Sequence, residues 1–391
     1  MTSASPSLSL PLMSIFDHAP PRRGSGSLKW DKRPGLEPYW VADMDFASPP
    51  EVLEALHHRV DHGVFGYAIP HPGLIETILE YLAERQHVTA SAEHLVHLGG
   101  LVPALSLAGR AFAEAGDALL TCTPIYPPFL GVHRDNGLSL ITVPHVLGAC
   151  GWTFDWEAME SAVTPQTRLF LLSNPQNPLG RVFSEEELLH LAEFCARHDL
   201  ILVSDEIHCD LIFDEGQTPH CSALRLPSEF SSRTITLLSP SKTYNIAGMG
   251  YAYAVIPDAP LRRRFMGRRG HTLAEITCLG YYAAEAAYRH GESWRRDLIN
   301  YLKGNRDLVA SFCNQHSDSV IMPRMEATYL AWLDFRPAAL QDPAARLEQE
   351  AGLFLSDGHA FGGAGHARLN FGCPRGFLEA GLSAIDGFLR G

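Results

Sequence analysis

The sequence predicts an α/β protein with a mostly parallel central sheet, helices on both faces of that sheet, and a smaller α+β domain beside it. Three observations lead there. Short apolar runs rich in β-branched residues alternate with helical patterns from Ala118 onward. At 391 residues the chain is longer than one hydrophobic core usually grows. Its texture also changes near Tyr288, where long helical and short strand patterns replace the alternation.

The clearest strands are residues 168–173, 200–204, 234–238 and 251–256. Between the first two, Ser184 followed by Glu187 forms a capping box, and Leu188, Leu191, Ala192 and Cys195 then share one helical face. Strand, helix, strand in that order implies parallel pairing. Ligands of such sheets sit beyond the carboxyl ends of the strands, which makes residues 173–180, 205–208 and 239–242 the candidates. Four segments are expected: a Ser-, Leu- and Pro-rich flexible leader over 1–12, an N-terminal segment over 13–48 packing with the small domain, a large cofactor-binding domain over 49–287, and a small domain over 288–391. The last carries a helix over 295–314 and strands near 329–334 and 367–371.

With 31 basic against 44 acidic residues the formal charge is −13, which gives no support to nucleic-acid binding. Arg262, Arg263, Arg264, Arg268 and Arg269 read as a solvated helix face, because no aromatic platform interleaves with them. Eight scattered cysteines without a C-x-x-C pair suit the cytoplasm, and no apolar run reaches the roughly 18 residues of a membrane span. His208-Cys209 and His220-Cys221 lack a standard zinc spacing, so no metal is expected. Tyr251 and Tyr253 alternate on a strand and read as packing residues.

Three strand ends offer a lysine, an aspartate and an asparagine at one rim. Pyridoxal phosphate (PLP) chemistry asks for such a set: an amine to hold the aldehyde covalently, an acid to keep the pyridine nitrogen protonated, and a donor near the phenolic oxygen. Lys242 lies in Ser-Pro-Ser-Lys-Thr, where Ser239, Ser241 and Thr243 surround it with hydroxyls suited to a phosphate. By itself Lys242 would read rather as an exposed loop lysine; the surrounding hydroxyls shift that weighting. Asp205 ends an apolar strand, where a buried carboxylate needs a cation; a turn-capping aspartate is the alternative. Ser239-Pro-Ser-Lys242 also matches the S-x-x-K of penicillin-recognising enzymes, but the companion K-T-G is absent and Asp205, Asn177 and Arg368 would have no task.

Asn-Pro-Gln-Asn-Pro-Leu-Gly (174–180), Ser-Asp-Glu-Ile-His (204–208) and Ser-Pro-Ser-Lys-Thr-Tyr-Asn-Ile-Ala-Gly (239–248) resemble fold-type I PLP enzymes of the aminotransferase class I/II superfamily. Trp-Val-Ala-Asp-Met-Asp-Phe (40–46), Gly-Val-Phe-Gly-Tyr (63–67), Pro-Ile-Tyr-Pro-Pro-Phe (124–129), Ala-Thr-Tyr-Leu-Ala-Trp-Leu-Asp (327–334) and Arg-Leu-Asn-Phe-Gly-Cys-Pro-Arg (368–375) resemble its carbon–sulfur β-lyase branch, the cystathionine β-lyases of MalY/PatB type. The resemblance implies the PLP-dependent transferase fold of type I. It assigns the Schiff base to Lys242, the pyridine nitrogen to Asp205, and the phenolic oxygen to Asn177 and His208. Backbone N–H groups of Gly100, Leu101 and Val102 would meet the phosphate beside Ser239 and Ser241.

By the same resemblance Tyr126 stacks on the cofactor ring, and Tyr67 reaches the phosphate of a neighbouring subunit, which implies a homodimer with shared sites. Lys242, Tyr126 and Tyr67 would be the catalytic set. Arg368 would grip the substrate α-carboxylate with Asn177, under the backbone of Ala42 and Asp43. Three departures stand out: Gln176 replaces the usual His, Leu179 the usual Thr, and Gly250 the second phosphate arginine of classical aminotransferases, an absence shared with the lyase branch. The implied reaction is α,β-elimination from a sulfur amino acid. The alternatives are amino transfer on the same fold and regulation by protein–protein binding.

Overall fold

The computed structural model describes residues 14–148, 151–271 and 273–391; the expected leader, 1–12, lies outside them, as does Cys150. Seven strands form the central sheet in the order Leu95–Leu98, Ala252–Val255, Thr234–Leu238, Ile201–Asp205, Thr167–Ser173, Ala118–Thr123, Ser139–Pro144. The expected strands fall within a residue of these bounds. All pair in parallel except Ala252–Val255, which runs antiparallel to both neighbours. The link from Leu238 to Ala252 holds turns and one 3-10 turn but no crossover helix, so the chain doubles back.

Both faces of the sheet are covered, which explains strands that read as unbroken apolar runs. Leu169 and Leu171 pack with Leu105, Ala108 and Phe112 of helix Leu101–Phe112 on one face. Phe170 and Leu172 pack with Leu188, Leu191 and Cys195 of helix Glu185–Arg197 on the other. That helix starts as expected: the Ser184 hydroxyl accepts from the Glu187 N–H at 3.2 Å, and the Glu187 carboxylate accepts from the Ser184 N–H at 2.8 Å.

A second, four-stranded sheet has the order Glu37–Tyr39, Leu353–Asp357, His366–Asn370, Leu330–Asp334, backed by helices Glu292–Gln315 and Arg375–Arg390. The N-terminal strand pairs in parallel with Leu353–Leu355. Lys29 is buried, and its ammonium lies 2.7 Å from the Asp45 carboxylate, which also accepts from Arg22 at 2.7 Å. A buried lysine is tolerable only with such partners, and they fix the segment after Tyr39 against the small sheet.

The arginine helix Ala259–Gly267 faces solvent, but several of its arginine heads are engaged. The Arg264 guanidinium lies 5.0 Å over the Phe112 ring, and Arg268 pairs with Glu114 at 3.1 Å. Tyr251 and Tyr253 are buried packing residues as expected, with the Tyr251 hydroxyl 2.8 Å from His97 Nδ1. The seven described cysteines are all buried and free.

Candidate active site

The carboxyl ends of the Thr167–Ser173, Ile201–Asp205 and Thr234–Leu238 strands lie side by side, with Ser173 opposite Asp205 and Asp205 opposite Leu237. Asp205 is buried, and one carboxylate oxygen accepts from the Ile207 N–H at 3.1 Å. Burial pushes its pKa up to about 7, with Glu206 adding to the rise. The folded group therefore holds a proton between about pH 4 and 7 that the unfolded group has lost, so its contribution to stability falls as pH rises through that window and the cost is complete above it. In cofactor-free protein, Asp205→Asn should accordingly be more stable than the parent by a few kcal/mol at pH 8, and the gap should close toward pH 4. Thermal unfolding across pH checks this; a gap independent of pH would contradict it.

Lys242 follows the third strand on a tight turn, and its amine donates to the Ala42 carbonyl at 2.7 Å. Burial lowers its pKa to about 8, so a neutral amine is accessible near physiological pH. His208 is buried, held neutral by a pKa pushed down to about 3, and its Nδ1 has no partner among the described residues. Asn177 is buried with its amide oxygen accepting from Arg368 at 3.0 Å, which leaves the NH2 group as its donor end.

Arg368 is buried at 3% exposure on the His366–Asn370 strand. Besides Asn177 it donates to the Trp40 carbonyl at 2.8 Å and the Ser356 hydroxyl at 3.3 Å, and it lies 4.7 Å over the Phe361 ring. Its Nε has no partner, and among the described residues no carboxylate pairs with it. Burial lowers its pKa to about 10, which leaves it charged at neutral pH. A buried guanidinium without a counter-charge is expensive, and an anionic ligand removes that expense.

The backbone over this cleft is residues 40–43. Ala42 lines the cavity, whereas the Asp43 N–H is bonded to the Val41 carbonyl and its side chain to Arg22 at 2.7 Å, so of the expected pair Ala42 is the one turned to the site. A cavity of about 480 Å3 joins Lys242, Arg368, Tyr126, Ala42, Trp40 and Phe361. Tyr126 is half-buried at the start of helix Pro127–Asn136, and burial raises its hydroxyl pKa.

Register places the phosphate candidates together. Leu98 lies opposite Ala252, Tyr253 opposite Leu238, and the Ser239 hydroxyl donates to the Tyr251 carbonyl at 2.7 Å. The amino end of helix Leu101–Phe112, capped by Gly100, thus flanks the Ser239–Ser241 turn across Gly250 and Tyr251. Ser239 is buried and spent on that turn; Ser241 is half-buried, and Val102 is exposed. Tyr67 is fully exposed in the single chain. Gln176 bonds the Pro124 carbonyl at 2.6 Å and accepts from the Leu179 N–H at 2.8 Å. Leu179 packs with Trp332 and Phe361 beside Tyr126, an apolar backing where a hydroxyl was expected.

Sequence reasoning gave no role to Trp40, Tyr329 or Ser356. The Tyr329 hydroxyl donates to Ala42 at 3.1 Å, and Ser356 to the Trp40 carbonyl at 2.9 Å. Trp40 and Tyr329 lie inside two of the recognisable motifs, which was the available signal; Ser356 lies in none.

The aminotransferase class I and II family profile matches residues 41–385. The chain belongs to that family. Within it, cystathionine beta-lyase PatB of Bacillus subtilis (strain 168) is 36% identical over 389 residues, covering 96% of this chain and 99% of PatB. The crystal structure of OvoB superposes with a TM-score of 0.92 at 38% identity, covering 96% of this chain and 98% of that one. Cystalysin from Treponema denticola, whose crystal structure contains a pyridoxal 5′-phosphate cofactor, gives a TM-score of 0.92 at 30% identity over 97% and 99% of the two chains. The family fold accounts for the mostly parallel central sheet with helices on both faces.

Proposed function

We propose that this protein is a PLP-dependent carbon–sulfur β-lyase, releasing a thiol, pyruvate and ammonia from an L-amino acid with sulfur at Cβ. The observation that carries the reading is a buried guanidinium without a counter-charge, Arg368, in one cavity with the amine of the half-buried Lys242. The relative named cystathionine beta-lyase and the PLP-containing neighbour support it. The residues suit the cofactor: the buried Asp205 carboxylate seeks a cation, His208 Nδ1 is orphaned, and hydroxyls flank a helix amino end. Bound there, PLP supplies an electrophilic aldehyde and a sink for negative charge from Cα.

The chain does the rest. Arg368 and the Ala42 segment hold the α-carboxylate, which fixes which bond at Cα breaks. Lys242, with an amine that deprotonates near neutral pH, takes the Cα proton as general base. With the cofactor bound, Asp205 would hold the ring nitrogen protonated, and His208 and the Asn177 amide would be the groups available to the phenolic oxygen. The Cβ–S bond then breaks with its electron pair on sulfur, the thiolate takes a proton, and the remaining enamine hydrolyses to pyruvate and ammonia. The outer cavity, lined by Lys32, Trp40, Glu348 and Phe354, gives room for a group beyond sulfur, as in cystathionine or another cysteine conjugate.

The active unit in this reading is a homodimer. Tyr67 stands in an exposed apolar run with Val64, Phe65 and Ile69, a surface that a second copy would cover while Tyr67 reaches the other subunit's phosphate.

The test is incubation of protein and PLP with L-cystathionine, without a keto acid. Equal release of pyruvate and free thiol is expected. Amino transfer on adding a keto acid, with neither product, would move the chain to aminotransferase activity; sedimentation as a monomer would remove Tyr67 from the site.

A further inference from the structure

We propose that Asn245 is a positioning residue: its side chain ties the Lys242 turn to the backbone segment that roofs the cleft, and so sets where the Ala42 carbonyl and the lysine amine meet. The inference rests on the lyase reading of the site. Asn245 lies three residues after Lys242, in the left-handed region at φ 55°. Its amide is fully spent on the roof: the oxygen accepts from the Met44 N–H at 2.9 Å, and the nitrogen donates to the Met44 carbonyl at 3.0 Å and the Phe46 carbonyl at 2.7 Å. Its own carbonyl accepts from the Ser48 hydroxyl at 3.1 Å.

The far edge of the same segment is held from the small sheet. Asn370, two residues after Arg368, donates to the Val41 carbonyl at 2.6 Å and the Asp43 carbonyl at 2.7 Å. Residues 41–46 therefore hang between two asparagines, one on the lysine turn and one on the arginine strand. Midway, the Ala42 carbonyl takes the Lys242 amine at 2.7 Å and the Tyr329 hydroxyl at 3.1 Å. A lysine that must leave its covalent bond, accept a proton and return needs a fixed resting place, and the amide of Asn245 holds that place to the turn from which the lysine departs.

A purely local explanation is that asparagine tolerates the left-handed backbone better than other non-glycine residues. Glycine separates the two accounts, because Asn245→Gly keeps the turn and deletes the clamp. The measurements are the pH titration of bound-cofactor absorbance, and KM and kcat for L-cystathionine. With three partly buried hydrogen bonds lost, kcat/KM should fall about 30-fold in Asn245→Gly, through both KM and kcat, and the titration midpoint should move. Asn245→Ala should match it at the site and lose more thermal stability. Asn245→Asp, which keeps the acceptor but sets a carboxylate oxygen against the Met44 and Phe46 carbonyls, should lose at least as much as glycine at the site and serves if the glycine variant does not fold. Parent-like titration and kinetics in Asn245→Gly would overturn the proposal and leave Asn245 a turn residue. Should the parent itself release no pyruvate, the lyase reading fails, while the absorbance titration still decides the role of Asn245.

Discussion

Lys242→Ala lowers pyruvate release from L-cystathionine by about 10,000-fold or more and leaves the fold intact. Loss of a general base alone costs up to about 10,000-fold, and loss of the covalent anchor adds to it. Intact folding follows from the contacts. Among the described residues the Lys242 amine has one hydrogen-bond partner, the Ala42 carbonyl, and that carbonyl keeps the Tyr329 hydroxyl at 3.1 Å when the lysine goes. No buried acceptor is orphaned, and an amine whose protonated form was penalised by burial is removed, so the thermal midpoint of cofactor-free protein does not fall. Activity within tenfold of the parent would place the base elsewhere. The variant also separates enzymatic from regulatory roles, since a role exercised by protein binding would survive it.

Arg368→Ala should reduce kcat/KM by about 100-fold or more, because truncating one side of a buried charged contact costs about 2–5 kcal/mol. Arg368→Lys should recover little, since an ammonium cannot bond Asn177, the Trp40 carbonyl and a carboxylate in one plane. Part of the loss will be structural, as truncation takes the arginine donors from the Asn177 amide oxygen and from the Trp40 carbonyl, which keeps only the Ser356 hydroxyl. A substrate pair isolates the recognition component: the parent should strongly prefer cystathionine over its α-carboxamide, and the alanine variant should not. An undiminished preference in that variant would assign carboxylate recognition to another group.

The elements that sequence made legible are those fixed by local chemistry. The Thr234–Leu238 strand, the Ser184–Glu187 cap and the lysine turn depend on short-range pattern, and each stands where its residues point. Asp205 and Asn177 were readable as strand-end residues and His208 and Arg368 only as motif members; register of the central strands brings the first two to one rim, and Arg368 reaches it from the small sheet through its bond to Asn177. What was not legible comes from contacts between distant segments. Nothing near Glu37 announces its pairing with Leu353, and nothing near Trp40 announces that its carbonyl receives Arg368. The reversal of Ala252–Val255 belongs to the same class, since an apolar run does not declare its direction. Asn245 and Asn370 stood inside recognised motifs without a role, because the backbone groups they bind carry no sequence signature.

The seven described cysteines bear on product chemistry. An enzyme that discharges a thiol into its surroundings works amid mixed disulfides and sulfur oxidants, and any accessible thiolate of its own would enter exchange with them. Here every described thiol is buried, and burial pushes those of Cys122, Cys195, Cys209, Cys221, Cys313 and Cys373 above their ordinary values. At those six described thiols the nucleophilic form is scarce and shielded, which slows their exchange with the sulfur species that accumulate as the enzyme turns over.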